Sequence, residues 1–244
     1  MRLNVFKLFG VTVFILVISF FFELFLSNSA FTFQKELLFI FNLILYLSII
    51  WISSTHFNVS LKLYKNVKLF YVLASISIGL SLVAISTIIF IPIIGVEKFI
   101  FASKELPVLD FLFFGSILLI PVIEELFYRK VCCEVLLLKQ SIITTVIISA
   151  TLFTFAHILS TSANPTTIFI GGIVLGIVYC KTRNVLFAII THVTVNLFAY
   201  PLTFYLGNLL ENNPNGFGLV SYICSLLFSI LSIFFAIRFL AKQA

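Results

Sequence analysis

The sequence predicts an all-α, polytopic membrane helix bundle with about eight transmembrane helices. The 244 residues are 61% apolar, with a mean hydropathy of +1.22, and only 10% are charged. An ordinary soluble domain carries about 25% charged residues, so this chain has too few charges to cover a water-exposed surface. Its apolar runs reach the roughly 20 residues that a spanning helix needs and lack the alternation of barrel strands.

Eight apolar stretches account for the whole chain. They run near residues 6–28, 37–55, 68–94, 109–138, 142–160, 166–181, 184–206 and 216–240. We expect one continuous membrane domain, in which helices of residues 1–105 carry no polar motif and residues 106–244 carry all of them. The four cysteines, Cys132, Cys133, Cys180 and Cys224, lie in or beside apolar runs and are expected to be small buried fillers.

The basic residues sort by loop when both termini are placed in the cytoplasm. Twelve then lie on the cytoplasmic side: Arg2, Lys7, Lys62, Lys65, Lys68, Arg129, Lys130, Lys139, Lys181, Arg183, Arg238 and Lys242. Three lie outside: Lys35, Lys98 and Lys104. This bias follows the positive-inside rule. The net charge of +6 is therefore explained by topology, and no nucleic-acid partner is expected.

Three polar clusters interrupt the apolar stretches. They are Glu124-Glu125 with Arg129 in the fourth, Phe153 with His157 in the fifth, and His192 with Asn196 in the seventh. A charge at membrane depth costs about 2.5–3.5 kcal/mol on insertion scales, so such residues are candidates for function. Residues four apart share a helix face, which predicts an ion pair between Glu125 and Arg129 and one inward polar face on each helix.

Estimated distances along each helix place these polar groups at a similar depth in the membrane. At about 1.5 Å per residue, Glu124 lies ~22 Å from Lys139, and His157 lies ~24 Å from Ser141. His192 lies ~13 Å from Arg183 on its own helix. The same estimate puts Arg129 and Lys130 either in a water-filled cavity or on a protruding helix. Two glycines four apart, Gly172 and Gly176, predict close approach of a neighbouring helix.

Two kinds of chemistry suit this set of side chains. A carboxylate and an imidazole can activate a water as general base, while a second histidine and an amide stabilise an oxyanion. Alternatively, Glu124, His157 and His192 can bind zinc through three ligands, leaving one position for water. Both lead to amide hydrolysis. No serine stands out as a nucleophile, because Ser141, Ser149 and Ser160 lack a base at a telling spacing.

The order of these motifs resembles a known family. E-E-x-x-x-R, F-x-x-x-H and H-x-x-x-N on successive helices are similar to the CPBP family, the type-two CAAX prenyl proteases and their bacterial relatives in bacteriocin maturation and immunity. The connection from Gly172 through Lys181-Thr-Arg-Asn184 to His192 also resembles that family. The resemblance covers roughly residues 110–200, and the first 100 residues carry no such signature.

The resemblance implies roles for the motif residues. Glu124 and His157 would activate the attacking water, and His192 and Asn196 would stabilise the oxyanion. Glu125 and Arg129 would hold the architecture of the site, with Phe153 supporting His157. The family has been described both as metal-dependent and as glutamate-dependent, so the expected cofactor is either none or zinc. The substrate implied is a membrane-associated peptide or protein.

Other functions compete with an intramembrane endopeptidase. A proton-coupled transporter would use the Glu and His residues as a relay, but no repeated halves are evident. A haem-binding electron carrier would need more paired histidines. A non-catalytic immunity or scaffold protein would keep the motifs for structure alone. Short loops and the lack of an organelle signal favour a bacterial plasma membrane.

Overall fold

A computed structural model gives the fold of the chain. It describes residues 2–27, 33–61, 67–104, 110–157, 164–212 and 219–243. The predicted end of the fifth apolar stretch beyond residue 157 and the start of the eighth lie outside these ranges, as do Lys62, Lys65 and Ser160. Over the described ranges the chain is helical and contains no strand, so the predicted all-α fold class is confirmed.

Nine helices, followed by a short 3₁₀ turn at Ala241–Gln243, make up most of the described part of the chain. They are α1 (Arg2–Ser27), α2 (Gln34–Phe57), α3 (Leu69–Ile94), α4 (Val96–Ser103), α5 (Phe111–Leu137), α6 (Ile142–Ala156), α7 (Pro165–Thr182), α8 (Val185–Asn212) and α9 (Leu219–Leu240). All except α4 and α6 contain a segment that is long and apolar enough to cross a membrane. The chain is therefore a multi-pass helical bundle.

Two of these helices differ from the sequence prediction. The short helix α4 was not expected. Helix α6 begins with Ser141, whose hydroxyl accepts a bond from the Thr144 amide, and its last helical residue is Ala156. Its 15 residues span about 22 Å at 1.5 Å each, less than the ~30 Å of a hydrocarbon core. The eight predicted stretches are thus seven helices of spanning length and one shorter apolar helix.

Helix α5 is α-helical only in part. Its segments Gly115–Leu119 and Leu126–Cys133 are π-helical, and Glu124 and Glu125 end the α-helical segment between them. Asp110 begins the helix, because its side chain accepts a hydrogen bond from the Phe113 amide. π-Helical turns are rare and occur frequently at functional sites. The acidic pair therefore stands where the helix departs from regular geometry.

Helix α5 lies between two groups of packed helices. On one side, Ile15 of α1 and Ile49 of α2 belong to a buried cluster that includes Phe127 of α5. On the other side, α3 packs along α8 and α9, and Thr191 of α8 donates a hydrogen bond to the Ser75 carbonyl at 3.1 Å. The helices before residue 105 therefore pack against those that carry the polar motifs.

The two glycines of α7 permit close contact with α6, as the sequence predicts. A Cβ atom on Gly172 would lie 3.1 Å from both Cα and Cβ of Ala150, and one on Gly176 would lie 3.3 Å from a methyl of Val146. Gly172 also faces Phe153, whose ring lies 3.5 Å from that Cβ position. Close packing at Gly172 therefore supports the helix that carries His157.

This packing gives a matched pair of substitutions. We expect Gly172→Leu to lower the free energy of unfolding by about 1–3 kcal/mol, because α6 must move to admit the side chain. Gly171→Leu is the control, since a Cβ on Gly171 meets no atom within 4 Å. Thermal unfolding of both variants in lipid nanodiscs measures the difference. Equal stability of the two variants would contradict close packing at Gly172.

The cysteines follow the prediction with one exception. Cys132, Cys133 and Cys180 are buried, and all four cysteines are free thiols. Cys224 is exposed on α9, so its predicted burial is wrong. The lipid-facing side of a spanning helix accepts a small apolar side chain as readily as the core does.

Candidate functional site

Glu124 lies at the centre of the site. It is buried, midway along α5, about 20 Å from either end of the helix. Its Oε1 atom lies 3.3 Å from Nε2 of His157, and its Oε2 atom lies 3.8 Å from Nε2 of His192. The structure therefore brings the three predicted side chains together from three helices.

Glu125 faces the same histidine from its other side. Nδ1 of His192 lies 3.0 Å from Oε1 of Glu125, and Nε of Arg129 donates to Oε2 of Glu125 at 2.9 Å. Both side chains of this ion pair are fully buried. The predicted pair between Glu125 and Arg129 is confirmed. The alternatives of a water-filled cavity or a protruding helix are wrong for Arg129, because the protein encloses its guanidinium.

Phe153 supports both histidines. Its ring centroid lies 4.5 Å from that of His157 and 5.7 Å from that of His192. The guanidinium carbon of Arg129 lies 5.2 Å from the same centroid. The ring therefore packs against both imidazoles and against the guanidinium. The predicted neighbourhood of Phe153 and His157 is therefore observed.

The hydrogen bonds of the two Nδ1 atoms, on the side of each ring away from Glu124, indicate which nitrogen of each histidine carries a proton. Nδ1 of His157 lies 2.8 Å from the Phe153 carbonyl, which can only accept, so Nδ1 is the donor. Nδ1 of His192 faces the Glu125 carboxylate, paired with Arg129, and is likewise the donor. Both Nε2 atoms then point towards Glu124. A proton between Glu124 and His157 is required for an attractive contact at 3.3 Å.

Asn196 differs from the other predicted residues. It lies one turn after His192 on α8 and is half-buried. It makes no hydrogen bond to any residue that the structure describes. Its amide remains available to a bound group, while its predicted role as an oxyanion donor stays a prediction.

Two further polar side chains have roles that the sequence analysis misses. Ser149 is fully buried on α6 and accepts a hydrogen bond from Nη1 of Arg129 at 2.8 Å. Glu134, near the end of α5, pairs with Nη2 of Arg183 at 2.8 Å and accepts a bond from the Tyr179 hydroxyl. Arg183 stands at φ +55°, in the turn between α7 and α8. Glu134 therefore ties α5 to the turn that precedes His192.

The predicted zinc ligands lie close together in the structure. Glu124, His157 and His192 offer ligand types that zinc accepts. Within the described ranges, however, no three His, Cys, Asp or Glu side chains are arranged to hold a metal ion. The contacts of Glu124 are made directly to the two imidazoles. The predicted cofactor, either none or zinc, stays a prediction.

Fold and site together define a multi-pass helical membrane protein with a buried carboxylate–imidazole centre. Residues 107–198 match the family model described as type II CAAX prenyl endopeptidase Rce1-like. The match spans α5 to the first half of α8 and confirms the resemblance to the CAAX protease family over the segment that carries all three motifs. No curated protein and no solved structure matches the chain.

Proposed function

We propose that the protein is an intramembrane endopeptidase that uses Glu124 and His157 to hydrolyse a peptide bond of a membrane-associated peptide or protein. The observation that carries this proposal is the 3.3 Å contact between the Glu124 carboxylate and Nε2 of His157, inside the bundle. Carboxylate and imidazole in contact form a general acid–base pair. The family match over the same helices supports peptide hydrolysis as the reaction.

The proposed reaction moves one proton through this pair. At the start Glu124 is ionised and His157 holds the shared proton on Nε2. A water attacks the carbonyl carbon and loses its proton to Glu124, which leaves a tetrahedral oxyanion. The C–N bond then breaks as Nε2–H of His157 protonates the leaving amine. Transfer of the proton from Glu124 to His157 returns both groups to their first state, and the new carboxylic acid gives its own proton to the released amine.

His192 is proposed to stabilise the oxyanion. Its Nδ1–H donates a hydrogen bond to Glu125. Nε2 can therefore donate to the substrate only when it also carries a proton, that is, when the ring is an imidazolium. Glu125 supports such an imidazolium, because its carboxylate lies 3.0 Å from Nδ1. The amide of Asn196, one turn along α8, is the proposed second donor. Removing one such donor costs about 10²–10³-fold in kcat in known hydrolases.

The wider setting of the activity is also proposed. The distribution of basic residues supports cytoplasmic termini, and the short loops support a bacterial plasma membrane. Either CAAX-type processing or maturation of a bacteriocin or signalling peptide fits a site enclosed by helices. The competing non-catalytic role predicts that the motifs serve stability alone, and a proton-coupled transporter predicts substrate movement without cleavage.

Membrane proteomics tests the proposal directly. Cells that produce the wild type and cells that produce Glu124→Ala at equal level are compared for the peptides released from membrane proteins. We expect a defined set of fragments that the variant abolishes. His157→Ala is expected to abolish the same set, because it removes the other half of the proton-handling pair.

The contrary outcomes identify the alternatives. Identical fragment sets from wild type and both variants would reject the endopeptidase. A biological phenotype that also survives both substitutions would favour a scaffold, whereas a phenotype lost without any change in fragments would favour transport. Glu23→Ala is the control for loss of a carboxylate from a spanning helix, since Glu23 is exposed on α1.

The zinc alternative has its own test. Purified protein is analysed for bound metal, and a dialysed sample is assayed with and without a chelator. The direct contacts of Glu124 with both imidazoles lead us to expect unchanged cleavage after chelation. Stoichiometric zinc, together with loss of cleavage that added zinc restores, would show that the three side chains rearrange around a metal.

A further inference from the structure

Ser149 occupies a special position in the buried network. Its hydroxyl is fully buried, accepts from Nη1 of Arg129 at 2.8 Å and donates to the carbonyl of Tyr128 at 3.0 Å. A hydroxyl can accept and donate at once, so both bonds coexist. Because Ser149 belongs to α6 and its two partners to α5, these bonds join the helix of His157 to the helix of the acidic pair.

The Tyr128 carbonyl belongs to the second π-helical segment of α5. That segment, Leu126–Cys133, departs from the regular α-helical bonding pattern. The carbonyl also receives a contact from the Cys133 thiol, five residues on, at 3.3 Å. Thiols are weak donors, so Ser149 is the stronger side-chain donor to this oxygen. Ser149 therefore stabilises the π-helical turn directly after Glu124 and Glu125.

Its second partner leads to the candidate site. Nη1 of Arg129 is held by Ser149, while Nε of the same guanidinium holds Oε2 of Glu125 at 2.9 Å. The remaining oxygen of Glu125 takes Nδ1–H of His192 at 3.0 Å. The Nη2 atom of Arg129 is buried without a hydrogen-bond partner among the described residues. Hence the orientation of the guanidinium depends on Ser149 and Glu125.

We propose that Ser149 is a positioning residue, which through Arg129 and Glu125 keeps the proton of His192 on Nδ1 and its Nε2 atom aimed at Glu124. This inference rests on the proposed function for its significance, but its geometry does not depend on activity. Among the described residues, Ser149 makes no hydrogen bond to Glu124, His157 or His192. Its influence on His192 passes through two intermediate side chains.

Histidine NMR offers a readout that needs no substrate. The chain has only three histidines, His56, His157 and His192, so protein labelled with ¹⁵N-histidine in lipid nanodiscs gives three ring systems. Single His→Gln variants assign them. In the wild type we expect a protected Nδ1–H on His192. In Ser149→Ala we expect its exchange with solvent to be about tenfold faster or more, because the ion pair opens more often.

Thr145→Val is the matched control. Thr145 lies one turn before Ser149 on α6, and its hydroxyl is also buried but has no hydrogen-bond partner among the described residues. Removing it deletes a buried hydroxyl from the same helix without touching Arg129. We expect wild-type exchange at His192 in this variant. Ser149→Thr keeps both bonds and is expected to restore protection.

The outcomes are decisive in both directions. If His192 keeps its wild-type exchange in Ser149→Ala while Glu125→Gln loses protection, Ser149 does not position the imidazole. Ser149→Cys, which retains volume but bonds weakly, gives the same test should the alanine variant not fold. The two proposals can also fail separately. If Nδ1–H of His192 exchanges faster in Ser149→Ala, but Glu124→Ala leaves the proteomic fragments unchanged, the endopeptidase is rejected and the positioning role of Ser149 stands.

Discussion

Replacing Glu124 by glutamine is expected to abolish peptide cleavage while leaving the protein folded. The amide keeps the volume of the carboxylate but cannot take a proton from water. General acid–base groups contribute about 10²–10⁴-fold to rate, and we expect kcat to fall within or beyond that range. The measurement is the rate of release of the fragments found by proteomics, in vesicles reconstituted with purified protein.

The free energy of unfolding shows whether Glu124→Gln loses activity because it lacks the base or because it is misfolded. Among the described residues, the ion-pair partners of Glu124 are the two imidazoles, at 3.3 and 3.8 Å. Glutamine keeps the volume of the side chain and can still bond to the imidazoles, so we expect the free energy of unfolding to fall by about 0.5–3 kcal/mol, with the protein still folded. Glu23→Gln should retain full activity as the matched acid-to-amide control. A Glu124→Gln enzyme with half or more of the wild-type rate would overturn its role as the base.

The sequence predicts the acidic pair and its partners well, for a physical reason. Glu125 and Arg129 are four residues apart, so one helical turn brings them together whatever the rest of the fold does. Charged and imidazole groups in apolar stretches must face inward or one another, because lipid offers no hydrogen bonds. That constraint predicts that Glu124, His157 and His192 face one another, and the structure places both Nε2 atoms within 3.8 Å of the Glu124 carboxylate.

Ser149 could not be found in the same way. A hydroxyl in a spanning helix can satisfy itself on the carbonyl four residues earlier, as Thr151 does on Ile147 and Thr154 on Ala150. Nothing in the sequence separates Ser149 from these two neighbours on α6. The difference arises only when Arg129 and the π-helical turn of α5 come to face it, which is a property of the packed bundle.

Arg129 was misplaced for a related reason. Counting residues along a straight helix puts it in a water-filled cavity or on a protruding helix, where water would satisfy its charge. The protein instead encloses it with Glu125, Ser149 and the face of Phe153. A fully buried guanidinium depends on these partners, since an unpaired charge in the interior is strongly destabilising.

Arg129→Met is accordingly expected to lower the free energy of unfolding by about 3–5 kcal/mol. Methionine fills the space, but Glu125 then stands buried with a negative charge and only His192 for a partner. The double variant Arg129→Met/Glu125→Gln removes both charges and should recover most of the loss, because neutral groups need no counter-ion. Thermal unfolding in nanodiscs, analysed as a double-mutant cycle, measures the coupling.

Lys130→Met serves as the neighbouring control for this cycle. Lys130 is half-buried next to Arg129 and makes no ion pair with the described residues, so we expect its loss to cost about 1 kcal/mol or less. Equal effects of Arg129→Met and Lys130→Met would show that the buried pair does not hold the bundle. A large loss of stability in Arg129→Met that the double variant recovers would instead show two separate roles within one motif. Glu125 and Arg129 would maintain the structure around His192, and Glu124 would be free to exchange a proton.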